Sequence, residues 1–193
     1  MDNCYFVEER IDILNITGQP IGKDCPKDEA HKNGWFHATV HVWFYTSDGQ
    51  ILMQKRGSKK ATYPNLWDVS VAGHVHSGET IEAAVLREVE EEIGLLISKN
   101  EIKLLKIQKN VNLHPNGIKD CEFQHVFLVE LKANIDTLVL QREEVEAIRL
   151  FSPMELELCI KEAHPNFKIV PSDMNYYKYI MSVVKMISKI KPK

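Results

Sequence analysis

The stretch from Gly73 to Leu95, GHVHSGETIEAAVLREVEEEIGL, constrains the fold more than any other: it must be a loop feeding a short acidic helix. Ser77, Gly78, Glu79 and Thr80 supply a turn and an N-cap, Glu82 places negative charge in the first turn, and Gly94 tolerates the left-handed backbone of a helix end. Leu86, Val89 and Ile93 recur at three- and four-residue spacing, which predicts one buried stripe. Glu88, Glu91 and Glu92 stand at i, i+3 and i+4, so their carboxylates are expected to converge on another face. Arg87 is the only cation between Thr80 and Gly94, so the repulsion is not relieved within the helix. Such a cluster suits hard divalent cations, whose preferred ligands are oxygens. For a glutamate triplet taken alone, a solvated acidic face is the favoured reading.

The spacing of the whole stretch carries more. Gly73, five residues, Glu79, seven residues, then Arg87-Glu88-Val89, one residue, Glu91-Glu92, one residue and Gly94-Leu95 matches each fixed position of the box that defines the Nudix family. At average residue usage this combination arises by chance with a probability on the order of 10⁻⁹ per start site. The resemblance implies an α/β Nudix fold, a mixed β-sheet sandwich with helices on both faces. It also implies an enzyme that uses Mg²⁺ or Mn²⁺ to hydrolyse a diphosphate linked to another group. Glu88, Glu91 and Glu92 then become the metal ligands, and Arg87 anchors them by ion pairing. Gly73, Gly78 and Gly94 shape the loop–helix–loop. A metal ion bridging phosphate oxygens neutralises developing charge, and its bound water is a nucleophile near neutral pH.

The 193 residues suit a single domain over 1–193, with an N-terminal hairpin at about 5–30, the box at 73–95 and C-terminal helices at about 152–190. A net charge of −3 argues against bulk binding to a nucleic acid polymer. The N-terminus MDNCYFVEERIDIL has acidic residues and no apolar run, so neither a signal peptide nor a membrane segment is expected, and a cytoplasmic location is the default. Cys4, Cys25, Cys121 and Cys159 are scattered without a CxxC pair, which suggests reduced, packing thiols. The basic end, KMISKIKPK, is expected to finish a helix.

Along the chain, Glu8 to Lys23 alternates and turns at Thr17-Gly18-Gln19-Pro20, the pattern of a hairpin. His37 to Tyr45 is β-rich, with His37, Thr39 and His41 on one face and Ala38, Val40 and Val42 on the other, and Ser47-Asp48-Gly49 turns it into a second strand, Ile51 to Lys55. Lys55, Arg56, Lys59 and Lys60 crowd ahead of the box, a solvated run or a phosphate clamp. A short strand is expected at Val69 to Val71. Glu101 to Leu113 and Cys121 to Leu131 read as two antiparallel strands. Glu122, opening the second, is by itself an exposed strand carboxylate, but the Nudix resemblance implies a further acidic ligand or base outside the box, for which Glu122 is the best candidate and Asp120 the next. Val145 to Phe151 is a further strand. Ser152-Pro153-Met154-Glu155 matches a capping box opening a helix to about Ala163. After Pro171, Met174, Tyr177, Met181, Val184 and Ile187 form the stripe of a last helix.

Outside the box the chain resembles isopentenyl-diphosphate isomerase and its Nudix hydrolase relatives, from about Gly18 to Phe151. The likeness rests on Lys27 and His31 in KDEAH, His37 at a strand start, Arg56 and Lys60 before PNLWD, His74 in AGH, and Asp120 with Glu122. In the isomerases the matching residues bind a divalent ion through histidines and acids and hold the diphosphate with lysine and arginine. The resemblance thus assigns Arg56, Lys60, Lys27, His37 and His74 to substrate, and Glu122 to the catalytic set. Three departures stand out. His31 and His37 are one residue closer together than in the isomerase pattern. Ala72 occupies the place of the isomerase cysteine, and Ser172 approximates that of a tryptophan. Conversely, the isomerases carry a degraded box, and this one is intact. Isomerisation lacks its acid–base thiol while hydrolysis keeps its carboxylates. The expectation is a divalent-metal-dependent pyrophosphohydrolase acting on a small nucleoside-diphosphate-type compound. The alternative is an isopentenyl-diphosphate delta-isomerase-like enzyme acting on prenyl diphosphates. A ligand sensor without turnover would not need every metal carboxylate. A homodimer through the N-terminal hairpin or the last helix is compatible with the sequence.

Overall fold

Asparagine and glycine close the first hairpin. Strands β1 (Arg10–Leu14) and β2 (Pro20–Pro26) pair antiparallel, and between them the Asn15 carboxamide oxygen accepts from the Thr17 and Gln19 amides at 2.9 and 3.0 Å while Gly18 takes φ +82°. Helix α1 (Lys27–Asn33) follows directly and stops at left-handed Gly34. The computed structural model describes residues 8–162 and 164–190. Cys4, residues 5–7 of the expected hairpin, Ala163 at the expected helix end and the last three residues of the basic tail lie outside them.

The main sheet has seven strands: β3 (His37–Tyr45), β4 (Ile51–Arg56), β5 (Trp67–Asp68), β6 (Val71–His74), β7 (Lys103–Leu113), β8 (Lys119–Glu130) and β9 (Val145–Phe151). Its central order is β5-β4-β3-β8-β7, with β6 paired to β3 and β9 to β4. Only β3 and β8 run parallel, His37 opposite Glu122 through Tyr45 opposite Glu130, so the sheet is mixed. β3 and β4 share a single register pair, Tyr45 with Ile51. Beyond it they part: β6 takes the free edge of β3 from Thr39 to Val42, and β9 runs the length of β4. This fork opens the cleft that holds the site.

Helices cover both faces, because alternate strand residues are apolar on both sides and each side must be shielded from water. On one face Trp43, Met53, Leu128 and Phe151 pack with Leu156 of α3 (Pro153–Ile160) and with Tyr177, Ile180 and Val184 of α4 (Met174–Ile190). On the other, Val40, Val42, Phe44 and Val71 meet Ala84, Val85, Val89 and Ile93 of α2 (Ile81–Ile93). This is the expected α/β/α sandwich. Ser152 and Glu155 form the anticipated capping box, Glu155 accepting from the Ser152 amide at 2.9 Å.

Three local readings are corrected. The strand placed at 69–71 is split into β5 and β6, because the buried Ser70 hydroxyl accepts from the Phe44 amide across the gap, taking the place of ladder bonds. On α2, Val85 and not Leu86 joins the buried stripe, and the rotation carries Glu88 and Glu92 inward with it. On α4, Tyr176, Tyr177, Ile180 and Val184 are buried while Met174 is 54% exposed, since the tyrosine rings pack against Trp43. Cys25, Cys121 and Cys159 are free and buried. No described helix is long and apolar enough to cross a membrane.

Candidate active site

α2 is fixed at both ends, by Thr80 accepting from the Ala83 amide at 3.2 Å and by Gly94 at φ +66°. Between these caps Glu88 and Glu92 are only 8% and 4% exposed. Glu88 fits because residue 73 has no side chain: a Cβ there would lie 1.9 Å from the Glu88 carboxyl carbon. Glu92 accepts from Gln54 Nε2 at 2.9 Å and, more distantly, from the Ala72 amide at 3.3 Å. Burial pushes the Glu92 carboxyl up to about 8, with Glu88 adding to the effect. Burial likewise raises Glu88 to about 7, against the pull of Arg87.

Arg87 holds the cluster together. Its guanidinium donates to Glu88 at 2.7 Å, to Glu91 at 3.0 Å, to both oxygens of Glu79 at 3.0 and 2.9 Å and to the His74 carbonyl at 2.8 Å. The three box glutamates expected to converge are thus divided: Glu88 and Glu92 are buried, whereas the Glu91 side chain is half exposed at the rim. Of the two buried carboxylates, Glu88 has part of the Arg87 guanidinium and Glu92 has neutral partners, Gln54 and the Ala72 amide. That deficit of positive charge fits a divalent cation with oxygen ligands.

A second cluster stands beside the first. His31 on α1, His37 on β3 and His74 on β6 each offer a ring nitrogen within 4.8 Å of the others. His31 Nε2 and His74 Nε2 are 3.0 Å apart. His37 Nδ1 donates to the Trp35 carbonyl at 2.9 Å, which leaves Nε2 as a lone pair, buried and without a hydrogen-bond partner. His31 Nδ1 lies 2.9 Å from Asp120 Oδ1, close enough for charge pairing though off the line of a hydrogen bond. Asp120 Oδ2 in turn meets His114 Nε2 at 2.6 Å. Burial lowers His37 to about 4 and holds His74 well below the ordinary histidine value, so both present neutral nitrogens. Imidazoles steadied through Nδ1 by a carbonyl or a carboxylate are the usual form of metal-binding histidines. Glu122, the register partner of His37, is 9% exposed and accepts from Gln124 at 2.8 Å; burial and then Asp120 raise it to about 7.

Both clusters border one cavity of about 1290 Å³. Lys27, Arg56, Lys60, His74, Arg87, Glu88, Glu91, Glu92 and Glu122 all line it. His37, expected to touch substrate, is fully buried, and its place at the start of β3 turns the ring toward His31 and His74. The shorter His31–His37 spacing does not separate them, since α1 returns His31 to the strand. The expected clamp cations are already paired: Arg56 with Asp68 at 2.9 Å, Lys60 with Glu144, and Lys27 with Glu9. Glu9, Gln54 and Asp68 escaped the sequence reading. Nothing in their neighbours marks them, because each acts only through the residue it meets across the fold.

Comparison with known proteins agrees with this geometry. The family model described as the NUDIX domain matches residues 35–172. A Nudix hydrolase of Clostridium acetobutylicum is 40% identical over 141 residues, covering 72% of this chain and 67% of that protein. Nudix hydrolase 3 of Arabidopsis thaliana is 33% identical over 174 residues, 88% of this chain; the chain spans only 22% of that longer protein. An isopentenyl-diphosphate Delta-isomerase of Salmonella arizonae is 32% identical over 144 residues, covering 72% of this chain and 75% of that enzyme. A crystal structure of a Deinococcus radiodurans protein superposes with a TM-score of 0.67 at 21% identity, over 89% of this chain and 98% of the other, and shares the fold. The family model over residues 35–172, with relatives above 30% identity, places the chain among hydrolases of the α/β class. The chain belongs to the Nudix hydrolase family.

Proposed function

We propose that this protein is a divalent-metal-dependent pyrophosphohydrolase that cleaves the diphosphate linkage of a small nucleoside-diphosphate-type compound. The observation that carries this reading is the pair of buried carboxylates, Glu88 and Glu92, facing a large cavity, with Arg87 paired to Glu88 and no cation in direct contact with Glu92 among the described residues. With Glu91 at the rim they would hold Mg²⁺ or Mn²⁺. Bound there, the ion supplies charge neutralisation on phosphate oxygens and an acidified water. Arg87 keeps the carboxylates in place. Lys27, Arg56 and Lys60 line the same cavity and exchange Glu9, Asp68 and Glu144 for phosphate oxygens. Glu122, raised to about 7, is suited to taking up a proton near neutral pH. One ring nitrogen each from His31, His37 and His74 would hold a second divalent ion, with His37 Nε2 as the clearest vacant donor.

That histidine triad, with the isomerase relatives, favours one other reading, rearrangement of a prenyl diphosphate. Ala72 opposes it, because a methyl group cannot exchange the proton that rearrangement requires. The test is release of phosphate-bearing products from nucleoside diphosphates and triphosphates, nucleotide sugars, dinucleotides, coenzyme A and prenyl diphosphates, with Mg²⁺ or Mn²⁺. Wild type is expected to cleave one group, and Glu92→Gln to stay folded and fall at least about 100-fold. Retained turnover in that variant removes Glu92 from the ligand set.

A further inference from the structure

The cavity wall carries a histidine outside both metal-capable clusters. His41 lies on β3 and is the register partner of Ala72 on β6, whose methyl group leaves the imidazole uncovered. Two residues further along the same face, the Trp43 indole N–H donates to Tyr176 Oη at 2.8 Å. The same Oη lies 3.0 Å from His41 Nδ1. An indole only donates, so Tyr176 accepts from Trp43; His41 Nδ1 is the one acceptor paired with its hydroxyl among the described residues, so the phenol proton goes there. The ring proton of His41 therefore resides on Nε2. Tyr176 is 3% exposed and Trp43 fully buried, so the relay is rigid. Burial brings His41 down to about 4, against the pull of Asp68, which leaves a neutral donor across the working pH range. Asp68, Ser172 and Tyr177 extend this polar wall.

We propose that His41 determines specificity by donating from Nε2 to a hydrogen-bond acceptor, a carbonyl or a ring nitrogen, on the non-phosphate part of the substrate. Diphosphates with a polar group, nucleobases above all, are then the favoured class, and hydrocarbon diphosphates leave the donor unpaired. The inference rests on the diphosphate-handling reading of the site. A desolvated donor without a partner discriminates by roughly 10- to 100-fold.

The test compares wild type, His41→Phe, His41→Gln and Tyr176→Phe, each verified by thermal melting. Steady-state constants are read on the common nucleoside diphosphates and on isopentenyl diphosphate. Dissociation constants are read by calorimetry with Mg²⁺ and the methylene-bridged, uncleavable analogues of the same compounds. His41→Phe is expected to weaken the preferred nucleotide about 10- to 100-fold, through KM and the dissociation constant, while the isopentenyl analogue changes by less than about threefold. His41→Gln, which retains an N–H donor, recovers most of the loss, and Tyr176→Phe, which frees the tautomer, falls between. Equal loss on both compounds, no loss, or wild type binding neither analogue overturns the proposal. If wild type cleaves nothing, the hydrolase reading fails, and the analogue constants still decide the role of His41.

Discussion

Gly73 shows how a single residue can govern a charge it does not carry. Its missing side chain is the space in which the Glu88 carboxylate sits. In Gly73→Ala the clash falls on the far end of a flexible side chain, so the fold should survive while Glu88 is displaced. We expect a melting temperature within about 3 °C of wild type and a loss of turnover of about 100-fold or more, measured by melting and product release on the same preparation. The sequence pointed to Gly73 only through its place in the box. The physical reason appears when β6 is seen packed against α2. His37 illustrates the opposite case. Its alternation on β3 was legible, but not that its ring would be fully buried against His31 and His74 while Thr39 and His41, on the same face, line the cavity.

At the scale of elements, α2 was the most legible part of the chain because its caps, its apolar spacing and its end at Gly94 agree with one another. The buried stripe was read correctly at Val89 and Ile93 and missed only at its start, where Val85 and not Leu86 is buried. A sequence that buries carboxylates offers two faces that look equally eligible, and only the sheet chooses between them. Gly94 is constrained twice, by φ +66° and by a would-be Cβ at 2.8 Å from Val139 Cβ and 2.9 Å from its carbonyl oxygen. Gly94→Ala should therefore cost about 1–3 kcal/mol or more of stability, read by denaturant unfolding, with kcat on the remaining folded protein nearly unchanged. The split of the expected strand 69–71 into β5 and β6 was not legible, since it depends on the fork between β3 and β4. That fork follows from which strands β6 and β9 choose as partners, a long-range matter.

At the scale of the molecule, the fork, the two helical layers and the N-terminal hairpin combine to place two clusters of opposite chemistry, carboxylates and imidazoles, around one cavity. The buried carboxylates link fold stability to pH. Glu88 and Glu92 are raised to about 7 and about 8, above the ordinary glutamate value, so without metal the native state holds protons that the unfolded chain has already released. Their contribution to stability is complete in acid and is lost as pH rises toward about 8. On the proposed reading, a divalent ion bound there would replace those protons. The gain in melting temperature on adding Mg²⁺ or Mn²⁺ should therefore grow between about pH 6 and about pH 8.5, and shrink sharply in Glu92→Gln; a gain independent of pH would contradict the carboxylate site.

The measurement that bears most directly on the central claim is the metal-dependent reaction run in H₂¹⁸O across the diphosphate panel, with products weighed by mass spectrometry and Glu92→Gln as the blank. Hydrolysis predicts one ¹⁸O in a phosphate-bearing product for each bond broken, dependent on Mg²⁺ or Mn²⁺ and absent from the blank. An intact diphosphate of unchanged mass, rearranged to its allylic form with no ¹⁸O incorporated, would contradict it.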